Sequence, residues 1–320
     1  MKLFIKRFLL FVIVILPICV ALDFLISNGL KSSDYYAQGE TFIWNEIVEG
    51  RISEDIYIYG SSRAWVHFDP EIIKDSLSMS AYNFGIDGHN FWFQHLRHKL
   101  LIENNPKPKL IVLSVDMFGF TKYKGFYNSR QFLPFIYNKD IRKYTSEYPG
   151  FNCLDYYLPL FRYYGRTKDI GEAFRSKDNT YKDSVFRRKG YRAEHRTWTA
   201  DFNKAKSKMA YYEVNTYEPY KDLMHQFLEE CKKLDIKVVM VYAPEYIEGQ
   251  EFVRNRSELI STYESIAEIH QITFLDYSND ELCYNKSLFY NSQHLNAKGS
   301  RLFSEEFASN LKKMKLFETN

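Results

Sequence analysis

The chain lacks the charge excess and the glycine-rich loops that mark several large functional classes. Its 320 residues include 43 lysines and arginines against 40 aspartates and glutamates, a formal net charge of +3. Because nucleic-acid-binding domains present a clustered basic face, this near balance gives no support to nucleic acid as a partner. A Gly-Lys-Ser/Thr phosphate loop is absent, and residues 85–88 have only two of the three glycines of a dinucleotide fingerprint. Nucleotide binding is therefore unsupported as well.

Cysteine is scarce. Cys19 lies in an apolar N-terminal stretch, and Cys153, Cys231 and Cys283 leave an odd number outside it. These positions indicate neither a paired disulfide framework nor a metal site, and no metal or organic cofactor is expected. The sequence also has no internal repeat, while its 45% hydrophobic and 26% charged residues are typical of one globular domain with a full core.

An apolar stretch near the N-terminus predicts a membrane anchor. Residues 8–26 are apolar except for Asp23, and Lys2, Lys6 and Arg7 precede them. A run of this length can cross a bilayer, and the positive residues before it orient the rest of the chain towards the periplasm or cell exterior. The predicted location is therefore the cell membrane, with a single span and an extracytoplasmic domain.

A cleaved signal peptide is the alternative, because the unbroken apolar run of residues 8–22 is short for a span. We favour a retained anchor over residues 1–27, since no small-x-small cleavage site follows the run and residues 24–26 extend it. Residues 28–53 then form a polar and aromatic connector.

Beyond residue 53, segments with strand-like patterns alternate with segments of helical spacing. The predicted strands are residues 55–59, 81–84, 109–115, 237–242 and 273–275. The predicted helices are residues 70–77, 91–104, 217–234, 252–270 and 297–314. This alternation predicts an α/β fold, a three-layer α/β/α domain over residues 54–320 with a central parallel sheet. Residues 117–215 break the pattern and, being too long for a structureless loop, are predicted to form an inserted cap.

Two short segments near the ends of this domain predict a serine nucleophile and its base. The strand of residues 55–59 stops at Gly60, and Ser62 follows in the turn. His294 lies in a polar loop before the last helix, with Asn291 placed three residues ahead to orient the imidazole. A seryl hydroxyl needs such a base to take its proton, and a parallel sheet collects the carboxyl ends of its strands at one edge.

Other residues near these segments have competing roles. Ser61 is the alternative nucleophile, and a serine that only caps the next helix is the structural alternative. Arg63 is assigned either to binding an anionic or polyhydroxylated substrate or to an ion pair with an acid such as Asp69. Glu245 is predicted to line the substrate pocket at the carboxyl edge of the sheet. His67 and His89 are expected at the rim of the pocket.

Together these segments resemble the SGNH/GDSL hydrolase superfamily, and within it the membrane-anchored extracytoplasmic branch that includes the proteins of teichoic-acid alanylation and alginate acetylation. The resemblance covers residues 55–116 and 237–311. A Gly-x-Ser block supplies the nucleophile in that family and matches Gly60 and Ser62. An Asn-x-Gly-x-x-Gly block matches residues 83–88.

The resemblance also implies an oxyanion hole. The backbone amides of Ser62 and Gly88 would donate to the oxyanion, and the family's third block would add an asparagine side chain. Asp116 takes that position here, and a carboxylate cannot donate while it is ionised. The last block of the family, Asp-x-x-His, matches Asn291 to His294.

The neutral Asn291 weakens the predicted triad. Its carbonyl oxygen orients the imidazole but cannot stabilise the imidazolium by charge, and in serine proteases this exchange costs about 10⁴ in kcat. Three alternatives follow: slow activity, help from another acid such as Asp276 or Asp280, or no activity.

The sequence thus predicts an extracytoplasmic acyl esterase or O-acyltransferase that acts on cell-envelope polysaccharide through a serine nucleophile. The implied partners are the membrane, the polysaccharide and a multi-span membrane-bound acyltransferase. The alternative, from a different class, is a catalytically inactive polysaccharide-binding or assembly subunit of an envelope modification complex. Asn291 and Asp116 favour this alternative, whereas Ser62 and His294 favour the enzyme.

Overall fold

The computed structural model describes residues 1–175 and 187–317, and the chain divides into two compact units. The described α-helices are α1 Lys2–Lys31, α2 Glu40–Val48, α3 Ser62–His67, α4 Pro70–Leu77, α5 Phe91–Asn104, α6 Lys139–Thr145, α7 Cys153–Tyr157, α8 Thr167–Ala173, α9 Asp201–Lys208, α10 Glu218–Lys233, α11 Ile247–Glu251, α12 Arg256–His270 and α13 Ala297–Lys313.

The sheet unit, which comprises Gly50–Lys122 and Arg187–Asn320, is built on five parallel strands. The strands are β1 Ile56–Tyr59, β2 Ala81–Asn83, β3 Leu110–Val115, β4 Lys237–Tyr242 and β5 Thr273–Asp276. Their order across the sheet is β2-β1-β3-β4-β5. The predicted α/β class with a central parallel sheet is therefore confirmed.

The alternation of side chains along β1 builds the two outer layers. Ile56 and Ile58 belong to an apolar cluster that includes residues of α3, α4 and α13. On the opposite face, the Tyr59 ring packs against Phe227 of α10 and His98 of α5. Helices thus cover both faces of the sheet, as predicted from the alternating pattern.

The strand order places a crevice at the carboxyl edge of the sheet. β3 is flanked by β1 and β4, and all six of its residues are buried, which explains its continuous apolar run. From β1 the chain passes to β2 on one side, and β3 lies on the other side. In open α/β sheets, ligands bind outside the carboxyl ends of the strands at such a switch point. The turn after β1 and the end of β3 meet here.

The helical unit comprises Met1–Glu49 and Tyr123–Phe186. Its first helix, α1, is long and apolar enough to cross a membrane, although a signal sequence would share that length and composition. Most of α1 before Asp23 is exposed, whereas Asp23, Ile26 and Leu30 are buried within the unit. The last turns of α1 are thus part of a folded core.

A buried ion pair joins α1 to the rest of the helical unit. The Asp23 carboxylate contacts the Arg162 guanidinium and accepts a hydrogen bond from the backbone N–H of Leu160 at 2.9 Å. Arg162 also donates to the Leu133 carbonyl at 2.6 Å and to the Ser27 hydroxyl at 2.8 Å. A buried charge is tolerated when such partners satisfy it. Asp23 therefore marks the point at which α1 enters the folded protein.

Residues 123–175 group with the N-terminal helix, and residues 187–215 group with the sheet unit. The inserted cap over residues 117–215 stays a prediction. The expected connector, residues 28–53, contains the end of α1 and all of α2.

We expect Asp23→Ala to lower the free energy of unfolding by about 3 to 5 kcal/mol, because it leaves the Arg162 guanidinium buried without its counter-charge. Chemical denaturation of the full chain in detergent measures this loss. The matched control is Glu147→Ala, which removes an exposed carboxylate of the same unit and should change stability by less than about 0.5 kcal/mol. Equal stability of the two variants would contradict a structural role for the pair.

Candidate active site

A sharp turn after β1 begins the candidate site. Gly60 has a φ of +152°, and a Cβ there would lie 2.6 Å from the Ala64 side chain and 2.7 Å from the Ser114 carbonyl oxygen. Any other residue would clash with both neighbours, so the turn requires glycine. The chain then passes directly into α3.

The two serines of this turn have different partners. Ser61 is the N-cap of α3, where its hydroxyl accepts from the Arg63 N–H at 3.3 Å and donates to the Asp116 carboxylate. The Ser62 hydroxyl is half-buried and lies 2.8 Å from Nε2 of His294. Ser61 therefore caps helix α3, whereas the Ser62 hydroxyl contacts the imidazole.

Asn291 determines which nitrogen of the His294 ring carries the hydrogen. Its Oδ1 accepts from the backbone N–H groups of Gln293 and His294, both at 3.0 Å. Because the nitrogen of an amide side chain cannot accept, these two donors fix the orientation of the amide. The same oxygen lies 2.9 Å from Nδ1 of His294, so Nδ1 is the protonated nitrogen. Nε2 therefore presents its lone pair to Ser62.

His67 supports the loop that carries the base. It is fully buried, and its Nε2 accepts from the backbone N–H of Leu295 at 3.0 Å. Burial, with the charges of Arg63 and His294, holds the pKa of His67 well below its ordinary value. The neutral ring is therefore a stable acceptor. The expectation that His67 and His89 line the pocket rim is wrong for both side chains, because both are buried.

Three factors keep the His294 imidazole neutral. Burial, then the positive charges of Arg63 and Arg196, lower its pKa to about 3. The Tyr290 ring stacks on the imidazole with centroids 5.3 Å apart, and the Arg196 guanidinium lies 4.0 Å from the centre of that tyrosine ring. The ring is therefore neutral at pH 7, with a free lone pair but a lowered affinity for a proton. The same surroundings destabilise the imidazolium that proton transfer would create.

Arg63 and Glu245 are buried against each other, so Arg63 takes the ion-pair role, one of its two predicted alternatives, and Glu245 does not line an open pocket. Their side chains are 3% and 1% exposed, and Arg63 Nη1 lies 3.1 Å from Glu245 Oε1. Arg63 also donates to the Ala243 carbonyl, and Glu245 accepts from the Tyr242 hydroxyl at 2.7 Å. The acid that pairs with Arg63 is therefore Glu245 and not Asp69. These charges tie the turn after β1 to the end of β4.

Asp116 lies at the end of β3 with both carboxylate oxygens engaged. One accepts from the Ser61 hydroxyl and the other from the Phe118 N–H at 2.7 Å. An oxygen that accepts in this way offers no proton, so the side chain is not the oxyanion donor that its position suggested. It instead holds the N-cap residue that precedes Ser62. This role was not predicted, because the partner lies 55 residues away.

The block of residues 83–88 packs against the turn after β1. The Asn83 amide donates to the Ala64 carbonyl at 2.7 Å, and the Ile86 N–H donates to the Gly60 carbonyl at 3.0 Å. Gly88 follows in an exposed turn with a φ of +69°. Its role as an oxyanion donor, with the backbone amide of Ser62, stays a prediction.

The two alternative acids form local turn contacts. Asp276 accepts from the Ser278 N–H at 2.9 Å, and Asp280 accepts from the Leu282 N–H at 2.8 Å. The partner of the imidazole Nδ1 is Asn291. In the described part of the chain, no group of three or more histidine, cysteine, aspartate or glutamate side chains is placed to hold a metal ion.

No protein-family model and no curated protein matches this chain. Among solved structures, an acetylxylan esterase from Geobacillus stearothermophilus shares 14% identity over 85% of this chain and 97% of its own, with a TM-score of 0.42. A protein of the G-D-S-L lipolytic family from Desulfitobacterium hafniense shares 12% identity over 80% of this chain and 98% of its own, with a TM-score of 0.36. A proposed acylhydrolase from Bacteroides fragilis shares 14% identity over 89% of this chain and 97% of its own, also with a TM-score of 0.36. These values are too low to transfer an activity.

We expect Arg196→Gln to raise the pKa of His294, because it removes one of the two positive charges that disfavour the imidazolium. Burial and Arg63 remain, so the pKa should stay below 6.5. A pH titration of the His294 ring signals by NMR measures the change. The control Arg301→Gln removes a guanidinium that is paired with Glu305 on α13 and should leave the titration unchanged. An unchanged pKa in Arg196→Gln would show that the guanidinium does not act on the ring.

Proposed function

We propose that the chain is an extracytoplasmic acyl esterase or O-acyltransferase with Ser62 as its nucleophile. The observation that carries the proposal is the continuous hydrogen-bond path from the Ser62 hydroxyl through the His294 ring to the Asn291 carbonyl, at 2.8 and 2.9 Å. Acyl transfer by a serine needs three groups: a hydroxyl, a base whose lone pair faces that hydroxyl, and a group that orients the base.

The proposed reaction proceeds in two halves. The Ser62 oxygen attacks the acyl carbonyl while Nε2 of His294 takes the hydroxyl proton. The tetrahedral adduct then collapses, and Nε2 returns the proton to the departing alkoxide, which leaves an acyl-serine. Water or a sugar hydroxyl attacks this ester in turn and transfers its proton to Nε2. As the second adduct collapses, Nε2 passes that proton to the Ser62 oxygen, which releases the acid or the new ester and restores both side chains. The backbone amides of Ser62 and Gly88 are the proposed oxyanion donors.

The surroundings of His294 indicate slow chemistry. Each proton transfer creates an imidazolium, and Asn291 supplies no negative charge to stabilise it, while Arg63 and Arg196 oppose it. This observation favours the second candidate function, a catalytically inactive subunit that binds polysaccharide with the same fold.

The proposed location rests on α1. The whole helix, Lys2–Lys31, is long and apolar enough to cross a bilayer, and Lys2, Lys6 and Arg7 near its start favour an N-terminus in the cytoplasm. The burial of Asp23 and Leu30 in the helical unit supports a retained anchor, since the end of the helix is needed by that fold. A cell-envelope polysaccharide as the acceptor, and a multi-span acyltransferase as the acyl donor, are proposed from the resemblance alone.

A fluorophosphonate probe tests the enzyme directly, because it reacts with an activated serine and forms a stable adduct. We expect labelling of the full chain at Ser62, identified by peptide mapping. Labelling at this position should be absent in Ser62→Ala and at least a hundredfold slower in His294→Gln (about 10² or more for loss of a general base). Thermal unfolding of each variant controls for the fold. Absence of labelling in a folded wild-type chain would instead favour the binding subunit.

Asn291→Asp separates the two candidate functions further. A carboxylate at this position retains the acceptor for Gln293, for the His294 backbone and for Nδ1, and it adds the charge that stabilises the imidazolium. We expect faster labelling and a higher pKa of His294. The gain should be smaller than the factor of about 10⁴ known for the reverse exchange in serine proteases, because part of that loss comes from a wrong tautomer and the tautomer here is already correct. Asn285→Asp, which changes a capping residue of another turn, is the matched control and should leave the rate unchanged.

A further inference from the structure

A short segment of the sheet unit, residues 191–199, joins helix α3 to the loop that holds the candidate base. The backbone N–H of Arg192 donates to the carbonyl of Trp65 on α3 at 3.4 Å. Near the other end of the segment, the Thr199 N–H donates to the Tyr290 carbonyl at 2.7 Å. These backbone contacts fix the segment beside both elements that form the candidate active site.

Two arginines of this segment share one carboxylate. Glu194 is buried, and its two oxygens accept from Nε of Arg192 at 2.6 Å and from Nε of Arg196 at 2.8 Å. The segment contains no other acid. Arg63, the other cation that acts on the imidazole, has a partner of its own in Glu245. Two guanidiniums against a single carboxylate therefore leave one positive charge in excess on the segment.

The Arg196 guanidinium is held in place but open to solvent. Its Nε is paired with Glu194, and its central carbon lies 4.0 Å from the centre of the Tyr290 ring. The side chain is 51% exposed, and among the described residues its two terminal nitrogens meet no hydrogen-bond acceptor. Asp87, the other acid whose charge acts on Tyr290, has an interaction of its own. A planar fork held in this way matches two oxygens of a carboxylate or phosphate.

This open fork lies close to the candidate base. The Tyr290 ring stacks on the His294 imidazole with centres 5.3 Å apart. Because the guanidinium carbon of Arg196 is 4.0 Å from the same tyrosine ring, it lies at most about 9 Å from the centre of the imidazole. One sugar unit, or two that are linked, can therefore contact the fork while an ester on it contacts Ser62.

We propose that Arg196 binds an oxyanion, a carboxylate or a phosphate, on the acylated sugar, and that the bound anion offsets the positive charge beside His294. The inference rests on the proposed function of Ser62 and names the class of its substrate. The two terminal nitrogens of the guanidinium donate to two oxygens of the anion, while Glu194 and the Tyr290 ring keep the fork oriented.

The bound anion supplies charge that the neutral Asn291 lacks. Burial, then the charges of Arg63 and Arg196, lower the pKa of His294. Of these three causes only Arg196 is open to a ligand, since Arg63 is buried against its own partner. An anion paired with Arg196 therefore stabilises the imidazolium that forms when Ser62 loses its proton. Sugars without an anionic group leave the guanidinium uncompensated and react more slowly.

NMR of the full chain in a nonionic detergent tests the anion site without any reaction. Three methyl glycosides that differ only at carbon 6 are titrated at neutral pH: methyl glucoside, methyl glucuronoside and methyl glucoside 6-phosphate. The test variant is Arg196→Gln. Its matched control is Arg301→Gln, which removes an exposed guanidinium whose Nε is likewise paired with a glutamate, at 2.9 Å, on α13. Thermal unfolding of both variants controls for the fold.

We expect the wild-type chain to bind at least one of the anionic glycosides about tenfold more tightly than methyl glucoside. The anion that binds identifies the recognised group as carboxylate or phosphate, and it should raise the pKa of His294. In Arg196→Gln the preference and the pKa response should both disappear, whereas Arg301→Gln should behave as the wild type. Equal affinity for charged and neutral glycosides, or a preference that survives in Arg196→Gln, would overturn the proposal.

Hydrolysis of the same glycosides, each acetylated at the same hydroxyl, separates this proposal from the proposed function. We expect kcat/KM of the wild type to be about tenfold higher for the anionic ester than for the neutral one, and about equal for the two in Arg196→Gln. Equal hydrolysis of both esters by the wild type would contradict the anion site and support the enzyme. Selective anion binding without hydrolysis of any ester would support the anion site and contradict the enzyme.

Discussion

The three hydrogen bonds accepted by the Asn291 amide oxygen decide what the His294 ring can do. Two of them come from the backbone of its own loop and fix the amide, and the third places the ring hydrogen on Nδ1. The lone pair on Nε2, and with it the contact to Ser62, follow from that arrangement. The neutral amide thus performs the orienting task of a triad acid without its charge, which is why the geometry of the site is complete while its electrostatics are weak.

The charges around the site mainly serve the structure. Arg63 and Glu245 are buried against each other, and the Asp116 carboxylate holds Ser61 at the N-cap of α3. These contacts tie the turn after β1 to the ends of β3 and β4, so Ser62, the proposed nucleophile, is held by the strands that flank the switch point. A rigid turn of this kind keeps the Ser62 hydroxyl beside the His294 ring, as the proposed reaction requires.

Most of the sheet unit was predictable from local patterns. All five strands begin and end within one residue of the expected positions, because a buried strand needs a short apolar run and Gly60 interrupts that run. The meeting of Ser62 with His294 was also anticipated, since parallel strands bring their carboxyl ends to one edge. Helix α3 was missed because its six residues are too few to show a periodicity of their own. The grouping of residues 187–215 with the sheet unit arises from packing between distant segments, which no local pattern shows.

The sequence by itself determined the α/β class, the parallel sheet and the identity of the serine, the histidine and the asparagine, because each depends on residues close together in the chain. Only the tertiary structure decided the partners of the charged residues. Arg63 is 182 positions from Glu245, and Asp23 is 139 from Arg162, so no local pattern joins them. A buried charged side chain pairs with the opposite charge that the fold places beside it. That partner is defined only once the core has formed.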